Sequence, residues 1–118
     1  MRRAANAKYL GMEGNFNWID TSKIDSLTDL FSNVFGKNVN TFNGDISKWD
    51  VSNVTKMLYT FQGCQSLKCD LTNWDVSRVR MWTSDTYRNT NSEFTKYCKV
   101  LEARIKKSPN YILKSLRK

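Results

Sequence analysis

The chain has 118 residues, 40% hydrophobic and 25% charged, which fits one domain over 1–118 with a modest core. It contains no histidine, so His-based triads, proton shuttles and His metal ligands are excluded. Nineteen basic against eleven acidic residues give a net charge of +8, which calls for an acidic partner.

At the N-terminus, Arg2 and Arg3 give the positive start of a signal peptide, but no apolar run follows them. No later stretch is long and apolar enough to cross a bilayer. The expectation is a cytoplasmic protein with no membrane partner, resident in the host cytoplasm if phage-encoded. Residues 1–18 read as an N-terminal cap, 19–87 as repeats, and 88–118 as a basic helical C-terminal cap.

The repeats are the strongest signal. Asp45-Ile46-Ser47-Lys48-Trp49-Asp50-Val51-Ser52-Asn53-Val54 returns 25 residues later as Asp70-Leu71-Thr72-Asn73-Trp74-Asp75-Val76-Ser77-Arg78-Val79. A weaker copy lies 30 residues upstream, where Ile19-Asp20-Thr21-Ser22 aligns with Trp49-Asp50-Val51-Ser52 and Phe31 with Phe61. A fixed period of this length predicts a solenoid. Ile46–Val51 and Leu71–Val76 read as short strands entering a turn. Val54, Met57, Leu58 and Phe61 then fall at i, i+3, i+4 and i+7, the spacing of one helical face, with Ser52 or Asn53 as N-cap and Gly63 as stop. Ile24, Leu27 and Phe31 repeat that spacing. In the third copy Trp82 replaces Met57 and Thr86 replaces Phe61, as in a terminal repeat. The expected fold class is therefore α+β: a short LRR-like solenoid of about three strand-turn-helix repeats, capped by C-terminal helices.

The string Phe42-Asn43-Gly44-Asp45-Ile46-Ser47-Lys48-Trp49-Asp50-Val51-Ser52-Asn53-Val54-Thr55-Lys56-Met57 resembles the BspA-like leucine-rich-type repeat of mycoplasma and Bacteroidetes surface and mobile-element proteins. The repeats cover roughly residues 19–87. The resemblance implies a leucine-rich-repeat-like binding scaffold with no catalytic activity. Few repeats, no secretion signal and a basic tail set this chain apart from the family's adhesins.

Beyond the repeats, Phe94, Tyr97, Cys98, Leu101 and Ile105 form an apolar helical stripe that Asn91 or Ser92 can cap. Ser108-Pro109 ends it and suits the start of a second helix carrying Tyr111, Ile112, Leu113 and Leu116. Charge follows this division. Residues 20–85 carry seven basic and eight acidic groups, whereas residues 86–118 carry nine basic and two acidic. The candidate binding residues for a partner or nucleic acid are Arg88, Lys96, Lys99, Arg104, Lys106, Lys107, Lys114, Arg117 and Lys118. Arg78 and Arg80 join them because they replace the neutral Asn53 and Thr55 of the preceding copy.

Trp49, Asp50, Met57, Phe61, Trp74 and Asp75 are read as structural repeat residues. Asp20, Asp50 and Asp75 recur in register, as do Asp45 and Asp70, so turn or helix capping explains them better than catalysis. Cys64, Cys69 and Cys98 lack a fourth ligand and the tighter spacing of structural zinc, and three thiols do not make a disulfide scaffold. No phosphate-binding glycine loop or nucleophile elbow occurs. No catalytic residue, metal or cofactor is expected. The leading functional expectation is a non-enzymatic binding protein, a small intracellular inhibitor or adaptor docking on an acidic protein surface or nucleoprotein complex. A phage or mobile-element inhibitor such as an anti-CRISPR protein fits the size and charge. The alternatives are a direct RNA- or DNA-binding protein using the basic tail, and an adhesive fragment of a surface protein.

Overall fold

The computed structural model describes residues 14–32 and 41–111. Its local unit is a five-residue step led by Asp or Asn. The Asp45 carboxylate accepts from the Ser47 amide (3.0 Å) and hydroxyl (2.7 Å), and the turn closes with the Trp49 amide donating to the Ile46 carbonyl. Asp50 does the same with Ser52 ahead of the Val54–Val51 bond, and Asp70 with Thr72 ahead of the Trp74–Leu71 bond. Asp and Ser/Thr at i and i+2 thus specify a run of tight turns through side-chain mimicry of backbone bonds.

These turns overturn the expected fold. The described residues contain one α-helix, α1 (Ser92–Lys107), a one-turn 3-10 helix (Ser84–Tyr87) and no strand, only isolated parallel bridges. They do not form an α+β, LRR-like solenoid of strand-turn-helix repeats. The segments read as strands are interrupted because a turn closes every five residues. The segment read as a helix fails for a different reason. The Phe61 amide donates to the Thr86 carbonyl of the next copy, the Met57 carbonyl accepts the Thr86 hydroxyl, and Tyr59 sits in the left-handed region at φ 59°. The helix-like spacing of Val54, Met57 and Phe61 is produced by turns that return each side chain to the core. Ser52 and Asn53 cap no helix. The expected pair of C-terminal helices is also corrected: Pro109 and Asn110 form a turn, and residues 112–118 of the second helix lie outside the described residues.

Neighbouring copies nevertheless lie in the register of the sequence repeat. Asn15 bridges Asp45 and Ser26 bridges Lys56, both 30 residues apart, while Lys56 bridges Met81 at 25. Leu27 donates to Lys56, Phe31 to Thr60 and Met57 to Met81 across copies, all at 2.9 Å. The repeated tryptophans staple the same joints: Trp49 Nε1 donates to the Phe16 carbonyl (2.9 Å) and Trp74 Nε1 to the Ile46 carbonyl (3.1 Å). Both acceptors occupy the same repeat position.

The core is a column of side chains. Phe31 and Phe61 stack with ring centroids 6.0 Å apart and planes 9° apart, and Phe31 also stacks on Phe42 at 4.7 Å. Gly44 is required beside this column, because a Cβ there would lie 2.5 Å from the Phe16 ring. In the third copy Thr86 stands where a Phe would continue the column. Phe94, from the first turn of α1, fills the place edge-on to Phe61 at 5.1 Å. α1 buries Phe94, Cys98, Leu101 and Ile105 against the repeats. Asn91 fixes its start: the side-chain oxygen caps Phe94, and the amide nitrogen donates to the Gln65 and Leu67 carbonyls. Glu102 ties its middle by accepting from Trp82 Nε1 and the Tyr87 hydroxyl. Burial, then the neighbouring Glu102 charge, push the Tyr87 hydroxyl up to about 12.

Candidate binding surface

The recurring carboxylates act as turn acceptors. Asp20, Asp45, Asp50, Asp70 and Asp75 are each held below the ordinary carboxylate value, chiefly by hydrogen bonds from the Ser or Thr two residues on. Because folding lowers these values, the stability they give is complete at neutral pH and is lost as pH falls through the folded-state values, below about pH 4. Asn15, at the position equivalent to Asp45, accepts from the Asn17 amide in the same way, so an amide serves the turn without titrating. A variant with Asp45, Asp70 and Asp75 changed to Asn is expected to melt near wild type at neutral pH and to lose less stability in acid. An acid-melting curve parallel to that of wild type would rule out these carboxylates as its source.

The thiols are equally committed. Cys64 and Cys98 are buried, and Cys64 donates to the Phe31 carbonyl at 3.4 Å. Burial pushes Cys64 up to about 12 and Cys69 to about 11, and Cys98 is raised as well. The thiol form therefore dominates at neutral pH. Among the described residues, no three His, Cys, Asp or Glu side chains gather as a metal site.

The exposed surface carries both signs, since Asp20, Asp25, Asp45, Asp50, Asp70, Asp75 and Glu93 are exposed alongside the cations. Arg78 is exposed and donates to Asn53 Oδ1 (3.0 Å), directly across the 25-residue repeat; Arg80 is exposed one copy above Thr55. Arg88 pairs with Asp85 at 2.5 Å, and Lys106 approaches Glu102 at 3.9 Å. Arg104 Nη1 donates to the Thr72 carbonyl, so its guanidinium is tied to the third copy. Lys96, Lys99 and Lys107 are exposed on α1. Lys114, Arg117 and Lys118 lie outside the described residues.

The structure brings part of this set together. Arg104 and Lys107 at the end of α1 face the Trp74–Ser77 turn across an open cleft of about 290 Å³. Asn110 donates to the Ser77 carbonyl at the same place, next to Arg78. Arg88 and Lys106 are engaged in ion pairs and differ from the free lysines of α1. Two features escaped the sequence reading: the exposed Val100 among the α1 lysines, and the second role of Asn91. The Lys96–Val100–Ala103–Lys107 spacing carried the first; nothing in the local sequence carries the second, whose acceptors lie 24 and 26 residues away.

Turn-built copies in repeat register, closed by one helix that presents lysines, define a repeat-containing protein. The chain belongs to the family described as "Mycoplasma protein of unknown function, DUF285", which matches residues 2–108. That family agrees with the BspA-like repeat resemblance and is compatible with a binding or adhesive role. Neither the curated proteins nor the solved structures compared with the chain gave a match.

Proposed function

We propose that this is a non-enzymatic binding protein that docks through its exposed cations on an acidic macromolecular partner, a host protein or nucleoprotein complex. The observation that carries this reading is a division of labour. The repeat aspartates are committed to turn bonds, Trp49, Trp74 and the buried thiols to the joints, whereas Arg80, Lys96, Lys99 and Lys107 are exposed without an ion pair among the described residues. Exposed cations contribute little to folding and much to steering and rate of encounter.

Two charge reversals test this. Arg78→Glu with Arg80→Glu, and Lys107→Glu with Lys114→Glu, Arg117→Glu and Lys118→Glu, are expected to leave the circular dichroism and melting curve nearly unchanged. Capture of the partner from a bacterial lysate, with and without nuclease treatment, at low ionic strength is expected to fall in one or both. Unchanged capture in both would overturn the reading. If capture requires intact nucleic acid, with a log–log salt slope of about −0.7 to −0.9 per phosphate contact, the contact is to nucleic acid directly.

A further inference from the structure

The outward face of α1 is not uniformly charged. Helical geometry at about 100° per residue puts Lys96, Lys99, Val100, Ala103 and Lys107 within about 100° of arc, opposite the buried Phe94, Cys98, Leu101 and Ile105. All five are exposed, and Val100 is one of four large hydrophobic residues exposed among the described residues, at 41%. The order along the face is lysine, then the apolar pair Val100 and Ala103, then lysine. These positions fall at i, i+4, i+7 and i+11, the seam on which two helices pack.

We propose that this face is a docking seam for an acidic amphipathic helix of a partner protein. The proposal rests on the reading of the protein as a cation-docked binder and names the partner's chemistry. The argument is complementarity at both kinds of position. Lys96, Lys99 and Lys107 match carboxylates flanking a partner seam. Val100 offers apolar surface to bury, and Ala103 is small enough for a second helix to approach closely. A nucleic-acid backbone would answer the lysines but offer Val100 nothing to bury against. An aromatic base-stacking platform is also lacking here, since Tyr97, the aromatic nearest the face, has its hydroxyl turned to Glu93 at 3.4 Å. The chain's own segments outside the described residues are poor occupants, because residues 1–13, 33–40 and 112–118 each carry net positive charge.

The test uses the full chain and three fluorescent probes: a synthetic helical peptide with a leucine seam flanked by glutamates, the same peptide with lysines for glutamates, and a DNA duplex. The acidic peptide is expected to bind and the basic one not. The decisive variant is Val100→Lys, which adds charge but removes the apolar centre; because Val100 is exposed, the fold should be unaffected, and circular dichroism checks this. It is expected to weaken the acidic peptide by about tenfold, the size of one central interface contact. Ala103→Trp, which holds a second helix away, is expected to weaken it similarly. Tighter acidic-peptide binding by Val100→Lys, no binding of that peptide by wild type, or preference for the duplex would overturn the proposal. So would concentration-dependent self-association abolished by Val100→Lys, which would make a second copy the occupant. If the peptide fails while the charge reversals above still abolish partner capture, the seam is wrong and the cation-docked reading stands.

Discussion

Trp74→Ala is expected to destabilise the fold by about 3–5 kcal/mol, the range for a large aromatic side chain cut from a packed core. Trp74 is only 2% exposed, packs 6.0 Å from the Phe61 ring and gives its indole N–H to the Ile46 carbonyl. The truncation leaves a cavity between copies and a buried carbonyl without its donor. Trp74→Phe separates the two effects, because it keeps most of the ring and removes only the donor. It is expected to cost about 1–3 kcal/mol, the penalty for one buried polar group left unsatisfied. Trp49→Ala should behave like Trp74→Ala, since Trp49 bonds the Phe16 carbonyl. Denaturant melts of the four proteins check this. Melting of the alanine variants at wild-type denaturant concentrations would mean that neither indole holds its joint.

Phe94→Ala is expected to cost a similar amount, about 3–5 kcal/mol, although the residue lies outside the repeats. Its ring is fully buried against Phe61 at the place where Thr86 interrupts the aromatic column. The helix is thus part of the core and not an appendage. The far-ultraviolet helix signal and tryptophan fluorescence should therefore be lost together in one transition. Asn91→Ala should cost about 1–2 kcal/mol through its cap alone, and more through the Gln65 and Leu67 carbonyls it leaves. Loss of the helix signal well before the fluorescence change, with Phe94→Ala affecting only the former, would show α1 to be merely attached.

The repeat, its two offsets and the helix at 92–107 were legible because each rests on a pattern of residue types along the chain. The bridges fall at 30 and 25 residues, the spacings that align Asp20 with Asp50 and Asp45 with Asp70. The secondary structure within a copy was misread because burial every three or four residues is shared by helices and by successive tight turns. Val54, Met57 and Phe61 satisfy both patterns, and the bonds of Met57 and Phe61 to the next copy, with Tyr59 in the left-handed region, decide between them. The cations were legible as a charge imbalance, but which of them are engaged was not. Arg88 finds Asp85 three residues away, whereas Arg104 finds the Thr72 carbonyl 32 residues away, a partner that only the fold supplies.

The back-reaching indoles have a consequence for how such chains change length. A copy carries the donor for the copy before it and, at the position of Phe16 or Ile46, the acceptor for the copy after it. A duplicated 25-residue unit therefore arrives with both halves of its attachment already encoded, and needs no matching substitution in its neighbours. Only the last unit lacks a successor, and there the chain must provide a different closure, as Asn91 and Phe94 do here. Gene duplication can lengthen or shorten the array in whole units while the closing helix, and the surface it presents, pass unchanged to the new end.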